Sequence, residues 1–302
     1  MRYNPFRTVA SLASHPGNKG QVARALIRYA RWQVASRLLG QTTVMPWIDD
    51  SRLFVSAGEA MVTHNYYTGL YEYLDMIFLL RYLSPEDRFL DVGANSGVYS
   101  VLAAKVMNIP GVAYEPIPQT FKRLVANVRL NEIETQVRCE NMGLSNRAGV
   151  LRFTTGFDAT NHVCSTGETD PHAISVPVST LDEEMRRLEY RPTVMKIDVE
   201  GFELPVLEGG AVLLSSPELA VVLIELNDSG ARYNWSDLEV SNCLYGHGFI
   251  PCEYVQVDNA VRAIAGFKSS RQNTLFVKDL AMVNARVGDF KRHLVHPTGS
   301  LA

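Results

Sequence analysis

Short apolar runs alternate with segments of helical periodicity through most of the chain, from about residue 88 onward. Apolar runs bounded by polar residues predict buried strands, and apolar residues spaced three and four apart predict amphipathic helices. An order in which strands and helices alternate predicts a parallel sheet with right-handed crossovers and helices on both faces. The sequence therefore predicts one large α/β domain of Rossmann-like type, which we place at residues 66–285.

The predicted elements follow one another without internal repeats or low-complexity segments. The predicted strands are 88–92, 111–115, 136–141, 194–198 and 220–225, and the predicted helices are 71–83, 98–106, 119–130 and 203–214. Residues 53–62 predict one or two short strands before the domain. Two later strands, 249–257 and 274–277, have no room for a long helix between them. We therefore expect the otherwise parallel sheet to end in an antiparallel hairpin.

Residues 1–65 are predicted to form a small, partly helical N-terminal extension, and residues 286–302 a C-terminal tail. The first 20 residues are rich in Ser, Asn, Gly and Pro, which predicts a loosely held segment. Residues 21–39 predict a basic amphipathic helix. Its apolar positions are Leu26, Ile27, Ala30, Val34 and Leu38, and its basic positions are Arg24, Arg28 and Arg31. Such a helix can pack on the domain or a second subunit, or contact an anionic membrane surface or substrate.

Composition excludes several classes of protein. A net charge of -3 disfavours a protein that coats nucleic acid, and we expect no nucleic-acid partner. The four cysteines form no CxxC pair, so neither a zinc site nor a disulfide framework is predicted. The first forty residues lack the pattern of a secretory signal, and no run of about 18 apolar residues occurs. These features predict a cytoplasmic protein.

A glycine-rich turn joins the first predicted strand of the domain to the next helix, and it indicates a nucleotide-like cofactor. The backbone can approach a ligand closely at Gly93 and Gly97, and Glu115 ends the following strand, where a carboxylate can accept hydrogen bonds from ribose hydroxyls. A dinucleotide dehydrogenase would show the same outline. However, Asn95 stands where a pyrophosphate needs a small residue, and the charge of Asp91 favours a sulfonium and an ammonium group. The predicted cofactor is S-adenosylmethionine.

Three blocks of sequence resemble the FkbM family of S-adenosylmethionine-dependent methyltransferases. They are Asp91–Gly97, Glu115–Pro116 and Lys196–Glu203, and the last is the most specific. The similarity extends from about Gly69 to Val277, with further matching segments at Gly69–Glu72, Asn141–Ser145, Ile224–Glu225 and Asn273–Asp279. The resemblance implies a class I methyltransferase fold and O-methylation of a hydroxyl group, commonly on a sugar or a secondary metabolite.

The resemblance also implies roles for individual residues in cofactor binding. Those implied for the methionine and ribose end are Asp91, Gly93, Asn95 and Gly97, with Glu115 on the ribose hydroxyls, Asn141 and Gly143 at the adenine edge, and Glu72 near the methionine ammonium. Two assignments stay open, because Glu72 can equally be a surface acid of a helix and Asn141 can simply cap a loop.

Transfer of a methyl group to a hydroxyl is an in-line displacement, so the enzyme must align the reactants and remove a proton. Asp198 and Glu200 lie at the carboxyl end of a predicted central strand, where open parallel sheets bind ligands. His162 is a third candidate base, in a long polar segment (154–173) that has the length of a lid or a recognition loop. Asp198 and Glu225 could instead hold a divalent cation, but no histidine-rich ligand set accompanies them, and no metal site is predicted.

The leading functional hypothesis is a methyltransferase that acts on a hydroxyl of a saccharide or glycoconjugate. A polyketide, a peptide or another small metabolite is the alternative acceptor. A hypothesis of a different class is a non-catalytic partner that retains the cofactor fold and docks through the helix from Arg24 to Arg37.

Overall fold

The computed structural model describes residues 5–39, 42–56, 59–156, 160–268, 272–289, 295–296 and 299–300. The strands are β1 (Thr43–Pro46), β2 (Arg52–Val55), β3 (Phe89–Val92), β4 (Gly111–Tyr114), β5 (Val137–Glu140), β6 (Gly143–Leu144), β7 (Gly149–Phe153), β8 (Ile174–Ser179), β9 (Val194–Ile197), β10 (Val221–Leu226), β11 (Ile250–Val255), β12 (Ala260–Ala263), β13 (Gln272–Val277), β14 (Val295–His296) and β15 (Gly299–Ser300). The helices are α1 (Pro5–Ser14), α2 (Val22–Leu39), α3 (Ala60–Thr68), α4 (Tyr73–Tyr82), α5 (Val98–Val101), α6 (Pro118–Leu130), α7 (Leu181–Leu188), α8 (Glu203–Glu208), α9 (Ala211–Ser215), α10 (Asp237–Gly246) and α11 (Leu280–Gly288). A π-helical segment, Leu102–Val106, continues α5.

The centre of the fold is a sheet with the strand order β12-β11-β13-β10-β9-β3-β4-β5. Within this sheet, the five adjacent strands β10, β9, β3, β4 and β5 are parallel to one another. Strand β13 is antiparallel to both of its neighbours, β10 and β11. The chain leaves β3 toward β4 and β5, then returns to the other side of β3 through β9 and β10. This reversal places a crevice beyond the carboxyl ends of β3 and β9, where ligands bind in such sheets. The predicted Rossmann-like sheet with an antiparallel end is confirmed.

Alternating side chains of the central strands enter two separate cores. Phe89 and Ala113 belong to the core that α4, α5 and α6 cover with Phe78, Val101 and Leu124. The opposite core contains the strand residues Leu90, Met195 and Ile224, which are covered by α7, α8, α9 and α10 through Leu181, Val206, Leu213 and Val240. The strands are buried on both faces, which explains why they appear in the sequence as nearly continuous apolar runs.

Some predicted elements differ in the structure. Only 52–55 of the predicted strand region 53–62 is a strand, and residues 60–68 form α3. The helix predicted over 203–214 is divided into α8 and α9 at Gly209 and Gly210, and the chain at Gly209 passes very close to another backbone. A Cβ atom there would lie 2.1 Å from the carbonyl oxygen of Ser145. The small sheet β6-β8-β7 and helices α7 and α10 were not predicted.

The N-terminal extension shares a core with the domain. The prediction of a loosely held segment over residues 1–20 is wrong for α1, which buries Leu12 in the same cluster as Tyr67. Helix α2 is present as predicted, but its buried face contains Ala25 and Trp32, while Ile27 and Val34 face outward. Among the described residues, no helix is both long and apolar enough to cross a membrane.

Candidate functional site

A cleft of about 680 Å³ opens at the carboxyl ends of the central strands. It lies at the crevice that the reversal in strand order predicts. The cleft lining includes residues that were predicted from the sequence to take part in binding or catalysis: Glu72, Gly93, Asn95, Glu115, Asp198 and Glu200. The sheet therefore brings together side chains that are as far as 128 positions apart in the sequence, from residue 72 to residue 200.

The floor of the cleft depends on a close contact between the ends of β3 and β9. The N–H groups of Gly93 and Ala94 donate to the carbonyl oxygen of Tyr114, and the N–H of Asp198 donates to that of Val92 at 2.9 Å. Gly93 has φ of 80°, and a Cβ atom on it would lie 1.8 Å from the carbonyl oxygen of Asp198. Only glycine fits this position, because a side chain would push the two strand ends apart.

We expect Gly93→Ala to lower the free energy of unfolding by several kcal/mol, because it adds a backbone clash to an unfavourable φ. Gly248→Ala is the matched control, since Gly248 has φ of 82° and nothing lies within 4 Å of the added Cβ. Denaturant unfolding of both variants separates the clash from the backbone strain. The excess loss at Gly93 should be about 1–3 kcal/mol. Equal losses at the two positions would contradict the close contact.

Glu115 organises the loop at the end of β4 while its carboxylate remains on the cleft wall. Oε2 accepts the N–H of Asn95 and Oε1 accepts the N–H of Ile117, both at 2.9 Å. Burial raises the pKa of Glu115 to about 7, although these two N–H groups oppose the shift. The Asn141 side chain lies outside the cleft lining and donates to the carbonyl oxygens of Glu115 and Pro116, so it supports this loop.

Three other residues that were predicted to bind the cofactor also lie outside the cleft lining. Asp91 is 1% exposed, and its Oδ2 accepts a hydrogen bond from the Ser100 hydroxyl at 2.6 Å. Gly97 forms the N-cap of α5 in a left-handed conformation. Gly143 lies in β6, where a Cβ atom would be 3.0 Å from the side chains of both Phe153 and Val178. Their roles in cofactor binding stay predictions.

A buried lysine, which the sequence-based reasoning missed, lies beneath the cleft. Lys196 is 1% exposed, its Nζ is 2.8 Å from Oδ2 of Asp198, and it lies 4.7 Å from the ring centre of Tyr99. Burial alone would lower the pKa of Lys196. The carboxylates of Asp198 and Glu72 raise it by a larger amount, so the net pKa lies above its ordinary value. The sequence could have predicted this contact, because Lys196 and Asp198 are two residues apart at a strand end and such residues lie on the same face of the strand.

Three carboxyl groups meet where β9 and β10 end. Carboxyl oxygens of Asp198, Glu200 and Glu225 lie within 4.8 Å of one another. Burial raises the pKa of Glu225, and the nearby Asp198 and Glu200 raise it further. Burial and Asp198 likewise raise the pKa of Glu200. Glu200 and Glu225 therefore keep their protons to higher pH than ordinary glutamates do, which makes proton exchange with a bound hydroxyl feasible. Oxygen ligands of this kind also suit a divalent cation, so the absence of a metal stays a prediction.

The turn after β9 holds Glu200 in an uncommon backbone conformation. Glu200 has φ of 55° and Gly201 has φ of 99°. Oε1 of Glu203 accepts the N–H groups of Val199 and Gly201, at 3.3 and 3.1 Å. Backbone strain of this kind persists only where the surroundings enforce it, and it concentrates at functional sites. Glu203 is therefore a positioning residue for Glu200.

The free energy of unfolding should fall as the pH rises from about 4.5 toward about 7, partly because of Glu203. Burial raises the pKa of Glu203 from 4.5 to about 7, whereas backbone N–H groups oppose the shift. The folded chain thus keeps a proton that the unfolded chain releases earlier, so this contribution is present at low pH and is lost through that window. Glu203→Gln should make the slope shallower by at most about 1.4 kcal/mol per pH unit. Denaturant titrations at several pH values measure this, with the exposed Glu134→Gln as control. An unchanged slope in Glu203→Gln would contradict the assignment.

The opposite wall of the cleft consists of hydrogen-bonded side chains from α4 and β13. Glu72 accepts hydrogen bonds from the Tyr99 hydroxyl at 2.7 Å and from Nδ2 of Asn273 at 2.9 Å. Asn273 is paired with Glu225 in the β10–β13 register. Burial, and then the charge of Glu72, raises the pKa of Asp75 to about 7. Asp75 and Asn273 were missed because neither follows a predicted parallel strand.

The polar segment 154–173 reaches the cleft through Thr160 and Asn161. His162 itself is turned toward its own loop, with Nε2 3.1 Å from Oε1 of Glu168. An aromatic cluster links this loop to the turn after β9. The Tyr233 hydroxyl donates to the carbonyl oxygen of Val163, and Nε1 of Trp235 donates to that of Gly201. The structure thus brings Asp198 and Glu200 together but leaves His162 outside the cleft lining, and its catalytic role stays a prediction.

Two curated methyltransferases are similar to the chain in sequence. The chain is 34% identical over 154 residues to the hexuronic acid methyltransferase AglP of Haloferax volcanii, which covers 50% of this chain and 61% of that protein. It is 28% identical over 149 residues to Methyltransferase 1 of Beauveria bassiana, covering 41% of this chain and 59% of that protein. The chain therefore spans about three fifths of the length of these curated relatives.

Among solved structures, the precorrin-6y C5,15-methyltransferase of Geobacter metallireducens aligns with a TM-score of 0.41 and 14% identity, covering 69% of this chain and 88% of that chain. TYW2 of P. horikoshii, solved with MeSAdo, aligns with a TM-score of 0.40 and 11% identity, covering 88% and 86%. The methyltransferase FkbM domain matches residues 91–251, which are more than half of the sequence and include the ends of β3, β4, β9 and β10. The chain belongs to the FkbM methyltransferase family.

Proposed function

We propose that this protein binds S-adenosylmethionine in the cleft and transfers its methyl group to a hydroxyl of a saccharide or glycoconjugate. The observation that carries the proposal is the charge of the cleft. Among the described residues, its lining contains six carboxyl groups, one lysine and no arginine. The acids are Glu72, Asp75, Glu115, Asp198, Glu200 and Glu225.

These acids suit a cationic cofactor, because a bound cation favours the charged form of carboxyl groups whose pKa burial has raised. A dinucleotide would bring a pyrophosphate into a cleft lined by acids, where like charges repel. S-adenosylmethionine instead brings a sulfonium and an ammonium group, and it supplies an electrophilic methyl group when bound. Glu115 projects from the end of β4, the position at which a carboxylate can accept the ribose hydroxyls. Glu72 lies across the cleft, where its charge can attract the ammonium group.

The carboxyl cluster at the ends of β9 and β10 can perform the proton transfer. Nζ of Lys196 lies 2.8 Å from Oδ2 of Asp198, and this contact holds the carboxyl group of Asp198 in place at the cleft floor. Glu200 has a raised pKa, which makes it more basic than an ordinary glutamate. A base whose pKa lies near the working pH transfers a proton most effectively. We propose that Asp198 orients the acceptor hydroxyl and that Glu200 or Asp198 removes its proton.

A saccharide acceptor agrees with the cleft and with one relative. Carboxylates and the side chains of Thr160 and Asn161 offer hydrogen-bond partners for several hydroxyl groups. Tyr71 is 41% exposed at the cleft, and its ring can cover an apolar sugar face. The relative from Haloferax volcanii acts, by its name, on a hexuronic acid. Lys268 on the cleft wall could pair with such a carboxylate.

Transfer of an isotope-labelled methyl group tests the proposal. The purified chain is incubated with labelled S-adenosylmethionine and a panel of nucleotide sugars, lipid-linked sugars and glycosides. The label is then located by NMR. We expect a methyl ether on a sugar hydroxyl, formed by the wild type and greatly reduced in Asp198→Asn. A label on nitrogen or carbon would contradict O-methylation, and tighter binding of a nicotinamide dinucleotide than of S-adenosylhomocysteine would contradict the cofactor.

A further inference from the structure

The basic residues of the N-terminal segment are separated from the acids of the chain. Residues 1–48 contain seven of the 29 Lys and Arg residues and none of the 32 Asp and Glu residues. The segment is therefore strongly cationic, while the rest of the chain carries a net negative charge. The proposed methyltransferase chemistry uses none of these basic residues. A cationic segment on an acidic body attracts anionic surfaces and orients the molecule toward them.

Helix α2 turns an apolar face away from the domain. Its buried side contains Ala25 and Trp32, and the partly buried Arg28 donates to the carbonyl oxygen of Tyr67. On the opposite side, Ile27 is 51% and Val34 is 57% exposed. These positions are seven residues apart and so lie on one face of the helix. The apolar stripe that the sequence predicted is largely the face that the domain does not cover.

Basic side chains flank this apolar face. Arg24 and Arg31 are exposed and lie on the same side of α2 as Ile27 and Val34. Helix α1, which packs against α2, adds Phe6 with 83% of its area exposed. An anionic bilayer can bind such a face, because its interface accepts apolar side chains and its lipid headgroups attract arginines. We define the exposed face of α2 by these four residues: Arg24, Ile27, Arg31 and Val34.

We propose that the exposed face of α2 binds the surface of an anionic lipid bilayer. A bilayer provides both an apolar region for Ile27 and Val34 and phosphates for Arg24 and Arg31. A second copy of the chain fits less well, because a symmetric contact would oppose two cationic segments. A nucleic acid would pair with the arginines but leave the apolar side chains without a partner. The proposal does not depend on the chemistry of the cleft.

Vesicle flotation of the full chain tests this surface. We expect binding to vesicles of equal parts phosphatidylglycerol and phosphatidylcholine, weakened by added salt, and little binding to phosphatidylcholine alone. Each of Arg24→Gln and Arg31→Gln should weaken partitioning about fivefold, since one basic residue near such a surface contributes about 1 kcal/mol. The double variant Ile27→Ser with Val34→Ser should weaken it by about tenfold.

The controls are Arg129→Gln and Val257→Ser, which change an exposed arginine and a 96% exposed valine outside the N-terminal segment. Both should bind vesicles like the wild type, and thermal unfolding verifies that all variants are folded. Three results would overturn the proposal: no binding to anionic vesicles, equal binding to both vesicle types, or unchanged binding by the variants of α2. Loss of a dimer in the Ile27 and Val34 variant, or retention on heparin, without vesicle binding would assign the face to a second copy or a polyanion instead.

Discussion

Replacement of Asp198 by Asn should lower the turnover number for methyl transfer by at least about a hundredfold, the usual range for loss of a group that assists proton transfer. The change keeps the shape of the side chain but removes the charge that pairs with Lys196 at 2.8 Å and that faces Glu200 and Glu225. The buried ammonium of Lys196 would then lack its partner, so it would oppose positive charge at the cleft floor. The affinity for S-adenosylmethionine should fall much less than turnover does.

Single-turnover kinetics and calorimetry with S-adenosylhomocysteine separate these two quantities. Asp258→Asn is a suitable control, because Asp258 also pairs with a basic residue, Arg262, but at an exposed site outside the cleft. It should behave like the wild type. Equal turnover in Asp198→Asn would remove Asp198 from the catalytic step. Glu200→Gln, measured in parallel, identifies the base, because loss of the base also changes the pH profile of turnover.

Replacement of Glu115 by Ala should weaken the binding of S-adenosylmethionine by more than about tenfold, since hydrogen bonds to a charged group contribute about 1.5–3 kcal/mol. Both carboxylate oxygens also hold backbone N–H groups of the cleft wall, so the alanine variant loses loop order as well as ribose contacts. Glu115→Gln is the matched variant, because it keeps the length of the side chain and one acceptor oxygen.

A double-mutant cycle with a 2′-deoxy analogue of S-adenosylhomocysteine isolates the ribose contact. The wild type should prefer the hydroxylated ligand, and Glu115→Gln should lose most of that preference. Loss of affinity for both ligands by the same factor would mean that Glu115 acts only on the loop. An unchanged affinity in a folded Glu115→Ala would exclude the contact altogether.

The central sheet could be predicted from sequence because its strands are buried on both faces and end at glycines or acids. The small sheet β6-β8-β7 could not, because β6 has only two residues and most residues of β7 are exposed. Apolar periodicity showed that α2 exists but not which face would be buried. The domain packs instead on Ala25 and Trp32, and the guanidinium of Arg28 donates to the carbonyl oxygen of Tyr67.

The candidate site was predictable where residues follow strands, as Asp198, Glu200 and Glu115 do. Asp91 was predicted to bind the cofactor, and this stays a prediction, because the side chain is buried, accepts a hydrogen bond from Ser100 and lies outside the cleft lining. Strand-end acids alternate between the two faces of a sheet, and one sequence does not reveal which acid the following turn will cover. Asn273 and Asp75 enter from elements that the strand-end rule does not consider.

The contribution of His15 and Pro16 to the cleft wall limits how the chain can be shortened. Nε2 of His15 lies 2.9 Å from the carbonyl oxygen of Tyr71, so the segment between α1 and α2 closes one side of the cavity. A fragment that starts at residue 66 would leave that side open to solvent. Deletion of the first 20 residues should therefore change which ligands the cavity binds, even if the remaining sheet still folds.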